Sequence, residues 1–366
     1  MSAYLDHNAT SPIRPVVLDA MVEALRAGGN PSSVHKAGRA ARARVEAARR
    51  QVATLVGALP SEIVFTSGGT EANNLVLKGR RVLVSAVEHD SVLKAAPCEL
   101  IPVNRNGVVD LAALERMLAE TSEPALVSVM FANNETGVLQ PIADVVRLAR
   151  ASSALVHCDA VQGAGKVPVD LHGLGVDYLS LSAHKLGGPT GVGALAIRAG
   201  APFESDRRGG GQESYRRAGT ENVAGIVGFG VAAEAARGGL DVMTFRDRVE
   251  AELLKIAPKA KVHGTGAPRL PNTTCISMPG VKAETQVMAL DLADVCVSAG
   301  AACSSGKVTR SAVLTAMGVE DFEAETAVRI SCGWNTAPED IDRLIAAWRD
   351  LYIRVTHSDM SRARAA

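Results

Sequence analysis

The stretch Tyr178-Leu-Ser-Leu-Ser-Ala-His-Lys-Leu-Gly-Gly188 decides how this chain is read. Its first half is an apolar, β-rich run, and it ends among small residues at a lysine. Outward from it, similar short runs recur at 63–65, 82–85, 126–130, 154–157 and 194–197, besides 178–181 itself. Amphipathic segments such as 111–119 and 142–151 lie between several of them. Strands alternating with helical segments make βαβ units, so an α/β fold with a mainly parallel sheet covered by helices is expected. Most of these runs end in small or polar residues, and ligands of such sheets bind beyond the strands' C-terminal ends.

On the N-terminal side, a helix is expected over 36–55, with Val45, Ala48, Val52 and Leu55 on one stripe. Lys36, Arg39, Arg42, Arg44, Arg49 and Arg50 on it read as a solvated basic face. On the C-terminal side, a helix-rich stretch follows Glu221 and a helix over 243–256 leads into a final region. That region, about 260 to 366, reads as strand 274–278, helix 284–292, a loop and a terminal helix 338–351. It has the pattern of a smaller α+β domain.

Composition narrows the function. The 366 residues are 47% hydrophobic and 21% charged, as in globular proteins, which excludes a disordered or collagen-like chain. Lys+Arg and Asp+Glu are both 39, so no general positive field draws the chain to nucleic acid or an anionic membrane. Aromatics are only 3%, too few for base-stacking platforms. The longest uncharged apolar stretch, 223–233, is far short of the roughly 18 residues that span a bilayer. No signal peptide is expected, because Asp6, Asn8 and Pro12 interrupt the N-terminus before an apolar run can form. The six cysteines are dispersed without any C-x-x-C pair, which argues against a zinc site or a disulfide framework and for reduced thiols in the cytoplasm. A small-molecule substrate fits best.

Three segments could carry chemistry on it. Thr66-Ser-Gly-Gly-Thr-Glu-Ala-Asn-Asn74 follows a strand and opens a helix, where free N–H groups and glycines suit a phosphate and Thr70 adds a hydroxyl. It lacks the G-K-[ST] ending of a nucleotide P-loop, and a capped tight turn explains it equally well. Asp159 ends a strand in His157-Cys-Asp-Ala-Val-Gln162. There it could pair a protonated ring nitrogen while Gln162 donates to a ring oxygen, or it could simply cap a helix. Lys185, at the end of its strand among small residues, is placed to lose a proton and act as a nucleophilic amine. Together these three form the set that holds pyridoxal phosphate (PLP): a lysine for its aldehyde carbon, an acid for its ring nitrogen and a helix end for its phosphate. Gly191-Val-Gly193-Ala-Leu-Ala196 matches a dinucleotide fingerprint, but it enters a strand where that motif must open a helix.

Two further residues draw attention. Cys303 lies in Val297-Ser-Ala-Gly-Ala-Ala-Cys-Ser-Ser-Gly-Lys307, whose small residues cannot pack as a core element, so its thiol is expected to be exposed and, near Lys307, partly ionised. Cys158, Cys275 and Cys332 lie in or beside apolar runs and read as inert buried thiols, while Cys296 is ambiguous. Arg329, in Thr326-Ala-Val-Arg-Ile-Ser-Cys332, is a lone cation in a strand-like run and wants a carboxylate, either the chain's own or a substrate's.

With these motifs the chain resembles the cysteine desulfurases of the NifS/IscS type, fold-type I PLP enzymes of the class V aminotransferase group. The resemblance runs from Tyr4-Leu-Asp-His-Asn-Ala-Thr10 and Gly29-Asn-Pro-Ser-Ser-Val-His35 to Val328-Arg-Ile-Ser331. It implies a mixed, mainly parallel seven-stranded sheet in a large PLP domain, 15–257, and a smaller α+β domain, 1–14 with 258–366. It implies that Lys185 holds PLP, Asp159 pairs the ring nitrogen, and Gly69, Thr70, Ser182 and His184 hold the phosphate. Gln162 and Asn134 (in Phe131-Ala-Asn-Asn-Glu-Thr-Gly137) would lie near the ring hydroxyl or substrate. His89, in Glu88-His-Asp90, would stack on the ring and handle protons. Thr220, in Arg217-Ala-Gly-Thr220, would reach the phosphate of a partner subunit, which implies a homodimer. Arg329 would clamp the carboxylate of L-cysteine, and Cys303 would take its sulfur as a persulfide, leaving alanine. No resident metal is implied; Cys303 could ligate an iron–sulfur cluster only in transit.

Some positions depart from that pattern. Ala183 stands where glycine is usual, and Gly187 with Thr190 replace the commoner tyrosine and lysine after Lys185. The chain ends soon after Leu351, whereas housekeeping members carry a longer segment for their iron–sulfur scaffold partner; a sulfur acceptor of that kind is the expectation here. A class V aminotransferase or a selenocysteine lyase is the second enzyme reading, and Cys303 argues against it, since an oxo-acid acceptor needs no thiol. A catalytically inactive sulfur carrier is the reading from another class, opposed by the full PLP set.

Overall fold

The computed structural model describes residues 2–120, 123–300 and 310–365, those from 357 onward as backbone alone. The apolar runs between 63 and 197 form one seven-stranded sheet, in the spatial order Ile63–Thr66, Gly193–Ile197, Tyr178–Ser182, Leu155–Asp159, Ala125–Ser128, Arg81–Ser85, Glu99–Ile101. Gly193–Ile197 runs antiparallel to both neighbours, and the other pairings are parallel. The edge strand Glu99–Ile101 was not expected. It has three residues with only Ile101 buried, so it shows neither alternation nor an apolar run.

Both faces of the sheet are covered, which is why Ala125–Ser128, Tyr178–Ser182 and Gly193–Ile197 are buried along their whole length. On one face Lys36–Leu55, Val223–Ala236 and Pro15–Ala27 pack together over Phe65, Leu179 and Leu181. Val223–Ala236 is apolar around its whole circumference because helices and sheet enclose it. The helix over 36–55 carries Lys36, Arg39, Arg42 and Arg50 exposed, as a basic face should, but Arg49 departs from that expectation. It is 8% exposed and forks onto Glu213, with bonds of 2.7 and 2.8 Å, while also donating to the Ile63 carbonyl at 2.9 Å. The dinucleotide-like Gly193 has a packing reason: a Cβ there would lie 2.6 Å from the backbone of Gly68, which crosses the strand at that point.

The C-terminal region builds a four-stranded antiparallel sheet in the order Ser298–Ala299, Ala327–Ser331, Thr273–Ser277, Lys261–Val262. The N-terminal strand Ala3–Tyr4 pairs with Val295–Cys296, so the first residues join this region. Ala3 and Leu5 enter its core with Trp348, and so do Val249 and Leu253 of the helix Met243–Ile256. The terminal helix, Pro338–Ala365, is longer than the expected 338–351. Its apolar stripe of Ile341, Leu344, Ile345, Trp348 and Leu351 continues through Tyr352 and Val355 onto the same cluster. Among the described residues no helix is long and apolar enough to cross a membrane.

Candidate active site

The C-terminal ends of the parallel strands and the N-terminal turn enclose a cavity of about 350 Å³. Gly69, Thr70, His89, Asn134, Asp159, Gln162, Ser182, His184, Lys185 and Arg329 all line it. These residues are spread over 261 positions of sequence, and the sheet brings them to one place because parallel strands deliver their ends to one edge. Thr220 is exposed and lies outside the cavity. Cys303 lies outside the described residues.

At one end of the cavity, the strand Ile63–Thr66 turns at Gly68 into the helix Gly69–Val76, whose first turn leaves N–H groups free of intrahelical partners. Ser182 and His184 close this end from Tyr178–Ser182, two strands along the sheet, and its short 3-10 turn, Ala183–Lys185. His184 faces Thr10 Oγ1 at 3.1 Å; burial and the nearby Lys185 lower its pKa to about 4, so it is neutral at pH 7. An anion here is met by hydroxyls, a neutral imidazole and a helix end.

Asp159 presents its carboxylate to the cavity wall. Its Oδ2 accepts from Asn73 Nδ2 at 2.8 Å, and its Oδ1 accepts from the Val161 N–H at 2.9 Å, a local cap of the following turn. Asn73 also donates to Ser91 Oγ, which lies 2.8 Å from His89 Nδ1. His89 Nδ1 accepts from the Ser91 N–H at 3.1 Å, so a neutral ring carries its proton on Nε2. Behind this wall, Glu88 is fully enclosed. Burial and the Asp159 charge push its pKa well up.

Lys185 is half-buried, and its Nζ donates to the carbonyls of Asn8 and Ala9 at 2.7 and 2.6 Å. Arg329 is buried; its guanidinium donates to Asp6 Oδ1 at 2.8 Å and to the Asn134 carbonyl at 3.1 Å, while Nε has no partner. The carboxylate it was expected to want is thus supplied in part by the chain. Asp6 also accepts from Ser298 Oγ at 2.8 Å, opposite Arg329 on the paired strand. Near the Cys303 segment, Ser311 Oγ donates to Glu135 Oε2 at 2.6 Å, and a Cβ on Gly300 would lie 2.9 Å from the same oxygen. Burial raises Glu135 to about 7.

Residues Asp6, Asn8, Asn73, Glu135 and Lys166 were not singled out from the sequence. A lysine among small residues in Val161-Gln-Gly-Ala-Gly-Lys166 is the one local signal among them. Burial also pushes up the thiols of Cys158, Cys275 and Cys332, the last to about 12, as inert core cysteines require.

This donor set fits PLP. A carboxylate for the ring nitrogen, an amine for the aldehyde carbon and a helix end with hydroxyls for the phosphate face one cavity, and the buried Nε of Arg329 awaits an acceptor. Fold and site together define a PLP-dependent enzyme of the α/β class. Comparison with known proteins is more specific. The family model for aminotransferase class-V matches residues 3–344. The cysteine desulfurase of Cereibacter sphaeroides is 46% identical, the alignment covering 93% of each chain, and the cysteine desulfurase IscS of Dictyoglomus turgidum is 41% identical, covering 93% of this chain and 91% of that one. A solved NifS-like protein from Rickettsia africae superposes with a TM-score of 0.89 at 38% identity, over 96% of this chain and 99% of that one. The chain therefore belongs to the class V aminotransferase family, and within it to the NifS/IscS type of cysteine desulfurase.

Proposed function

We propose that the protein takes the sulfur from L-cysteine as a persulfide on Cys303, releases alanine, and passes the sulfur to an acceptor of the iron–sulfur assembly kind. The observation that carries this reading is the opening of Lys185, Asp159 and Arg329 into one cavity. PLP, when bound, supplies the electron sink that acidifies the substrate's Cα. Arg329 receives the substrate carboxylate, and Asp6 holds the guanidinium in place meanwhile. Asp159, tied by Asn73 and the Val161 N–H, keeps the ring nitrogen protonated. Lys185 moves the proton at Cα, and His89 acts from Nε2 as a donor. The Cys303 thiolate then attacks the substrate sulfur; the carbon–sulfur bond breaks with its electron pair left on the substrate, and a proton added to that carbon completes alanine.

The active unit is a homodimer in this reading, with Thr220 completing the partner's phosphate site. The segment that carries Thr220 is pinned by two ion pairs, Arg49–Glu213 and Arg217–Glu71, yet leaves Thr220 exposed; Leu25, Val34 and Tyr215 are exposed apolar residues that such an interface would cover. The division into 15–257 and 1–14 with 258–366 is supported by the separate main clusters of the two sheets, although Val249 and Leu253 of Met243–Ile256 pack in the smaller unit's core and Val87 joins Cys275, Val313 and Leu314 across the division. Reduced cysteines support a cytoplasmic location.

The test is to give the purified protein L-cysteine and measure alanine and, after a thiol reductant, sulfide, in equal amounts. Borohydride should fix the cofactor to the peptide holding Lys185. Cys303→Ser should keep the cofactor and lose nearly all sulfide release, because a hydroxyl is far less ionised than a thiol. Alanine and sulfide made by this variant at the wild-type rate would overturn the persulfide step.

A further inference from the structure

Lys166 lies behind the cavity wall, 6% exposed and outside every role assigned above. Its Nζ is 2.6 Å from Gln162 Oε1 and 2.7 Å from Asn8 Oδ1. Backbone carbonyls, which only accept, settle which way both amides point. Gln162 Nε2 donates to the Asn8 carbonyl at 2.9 Å, and Asn8 Nδ2 donates to the Asn134 carbonyl at 3.1 Å. The oxygens of both amides therefore face Lys166. A second donor, Asn272 Nδ2, reaches Asn8 Oδ1 at 3.1 Å, whereas Lys166 is the donor recorded on Gln162 Oε1.

Asn8 is in turn the hub of the site. Its carbonyl accepts from both Lys185 Nζ and Gln162 Nε2, and its own N–H donates to Ser331 Oγ beside Arg329. Lys166 is thus one side chain away from the cofactor lysine and one side chain away from the ring-facing amide. Burial, with Lys185 and Arg329 nearby, holds its pKa well below the usual lysine range. The amine has N–H groups for both acceptors.

We infer that Lys166 is a positioning residue that locks the Gln162 amide with its N–H groups outward. This deepens the PLP reading and rests on it. A Gln162 N–H held toward the ring oxygen of PLP draws on that oxygen's negative charge. The charge otherwise helps retain the proton on the Lys185 nitrogen, so the locked amide lowers the pH at which that proton leaves. Without Lys166, Gln162 Oε1 is a buried acceptor with no donor, and the amide turns or shifts to find one.

The experiment is a pH titration of the visible absorption of the bound cofactor, with cofactor content and thermal stability measured in parallel, on Lys166→Met, Lys166→Gln, Gln162→Met and the double variant Lys166→Met/Gln162→Met. In Lys166→Met the protein should hold PLP, and the spectral midpoint should rise by about one pH unit, the scale of one hydrogen bond to a charged group. Lys166→Gln keeps a donor and should shift the midpoint less; it carries the same comparison if the methionine variant does not fold. In the Gln162→Met background, adding Lys166→Met should move the midpoint no further, because the group it acts through is gone. An unshifted midpoint in both Lys166 variants, or a double variant shifted by the sum of the singles, would overturn the inference even with sulfide production normal. A wild-type protein with no visible band and no bound PLP would instead overturn the reading of the site.

Discussion

Two buried arginines in this protein serve opposite ends. Arg49, between a helix and the sheet, is saturated: both arms of its guanidinium meet Glu213, and one also meets a backbone carbonyl. Arg329, at the rim of the cavity, has one carboxylate bond, one carbonyl bond and an unpartnered Nε. Their partners differ as well. The Glu213 side chain is 2% exposed and that of Asp6 19%. An ion pair closed on all sides holds structure together, whereas one left incomplete can accept a ligand without first breaking.

Breaking the closed pair should have the largest effect. Arg49→Ala removes both guanidinium bonds from the buried Glu213, so unfolding free energy should fall by about 3–5 kcal/mol, read from a denaturant midpoint. If it falls by less than about 1 kcal/mol, the pair is not the structural anchor described here.

Opening the incomplete pair should act on substrate instead. Arg329→Ala removes charged bonds to the carboxylate and should lower kcat/KM for L-cysteine by about a hundredfold, while PLP stays bound and stability changes little because Asp6 reaches water. A wild-type KM would make Arg329 a second structural arginine. A finer probe is Asp6→Asn, which keeps a hydrogen-bond acceptor and removes the charge. The guanidinium should lose its orientation, and KM should rise by roughly tenfold with PLP content unchanged. An unaltered KM would mean that Asp6 does not orient it.

The smallest effect concerns a third pair, Arg217 with Glu71, at 2.9 Å. Bonds from Arg217 and Ser67 outweigh burial and lower the Glu71 pKa to about 2. A carboxylate depressed on folding stabilises above its unfolded value, near 4.5, and loses that contribution as pH falls toward 2. Glu71→Gln should therefore flatten the pH dependence of stability between about pH 5 and pH 2 and leave its slope above pH 6 unchanged. An identical acid profile in mutant and wild type would remove Glu71 from the acid-labile set.

Much of the site was legible in sequence because it sits at strand ends. Lys185 and Asp159 each terminate an apolar run, and the turn before Gly69–Val76 follows another; a parallel sheet must gather such ends. The edge strand Glu99–Ile101 was illegible for lack of any pattern, and the last turns of Pro338–Ala365 were missed although Tyr352 and Val355 extend the stripe. Asn8 is a different case. An asparagine near the N-terminus has no local signature, and its bond to Lys185 joins residues 177 apart in sequence.

The sequence alone determined the α/β class, six of the seven strands of the large sheet, and the chemical types present, since apolar periodicity and turn residues act over a few neighbours. Only the tertiary structure decided which charges meet. From sequence, Arg49 belonged to an exposed basic face and Arg329 to a search for any carboxylate. Glu213 lies 164 residues from the first and Asp6 lies 323 residues from the second. Such pairs are chosen by which segments the packed sheet and helices bring together, and the cost of burying an unpaired charge then fixes each side chain in place.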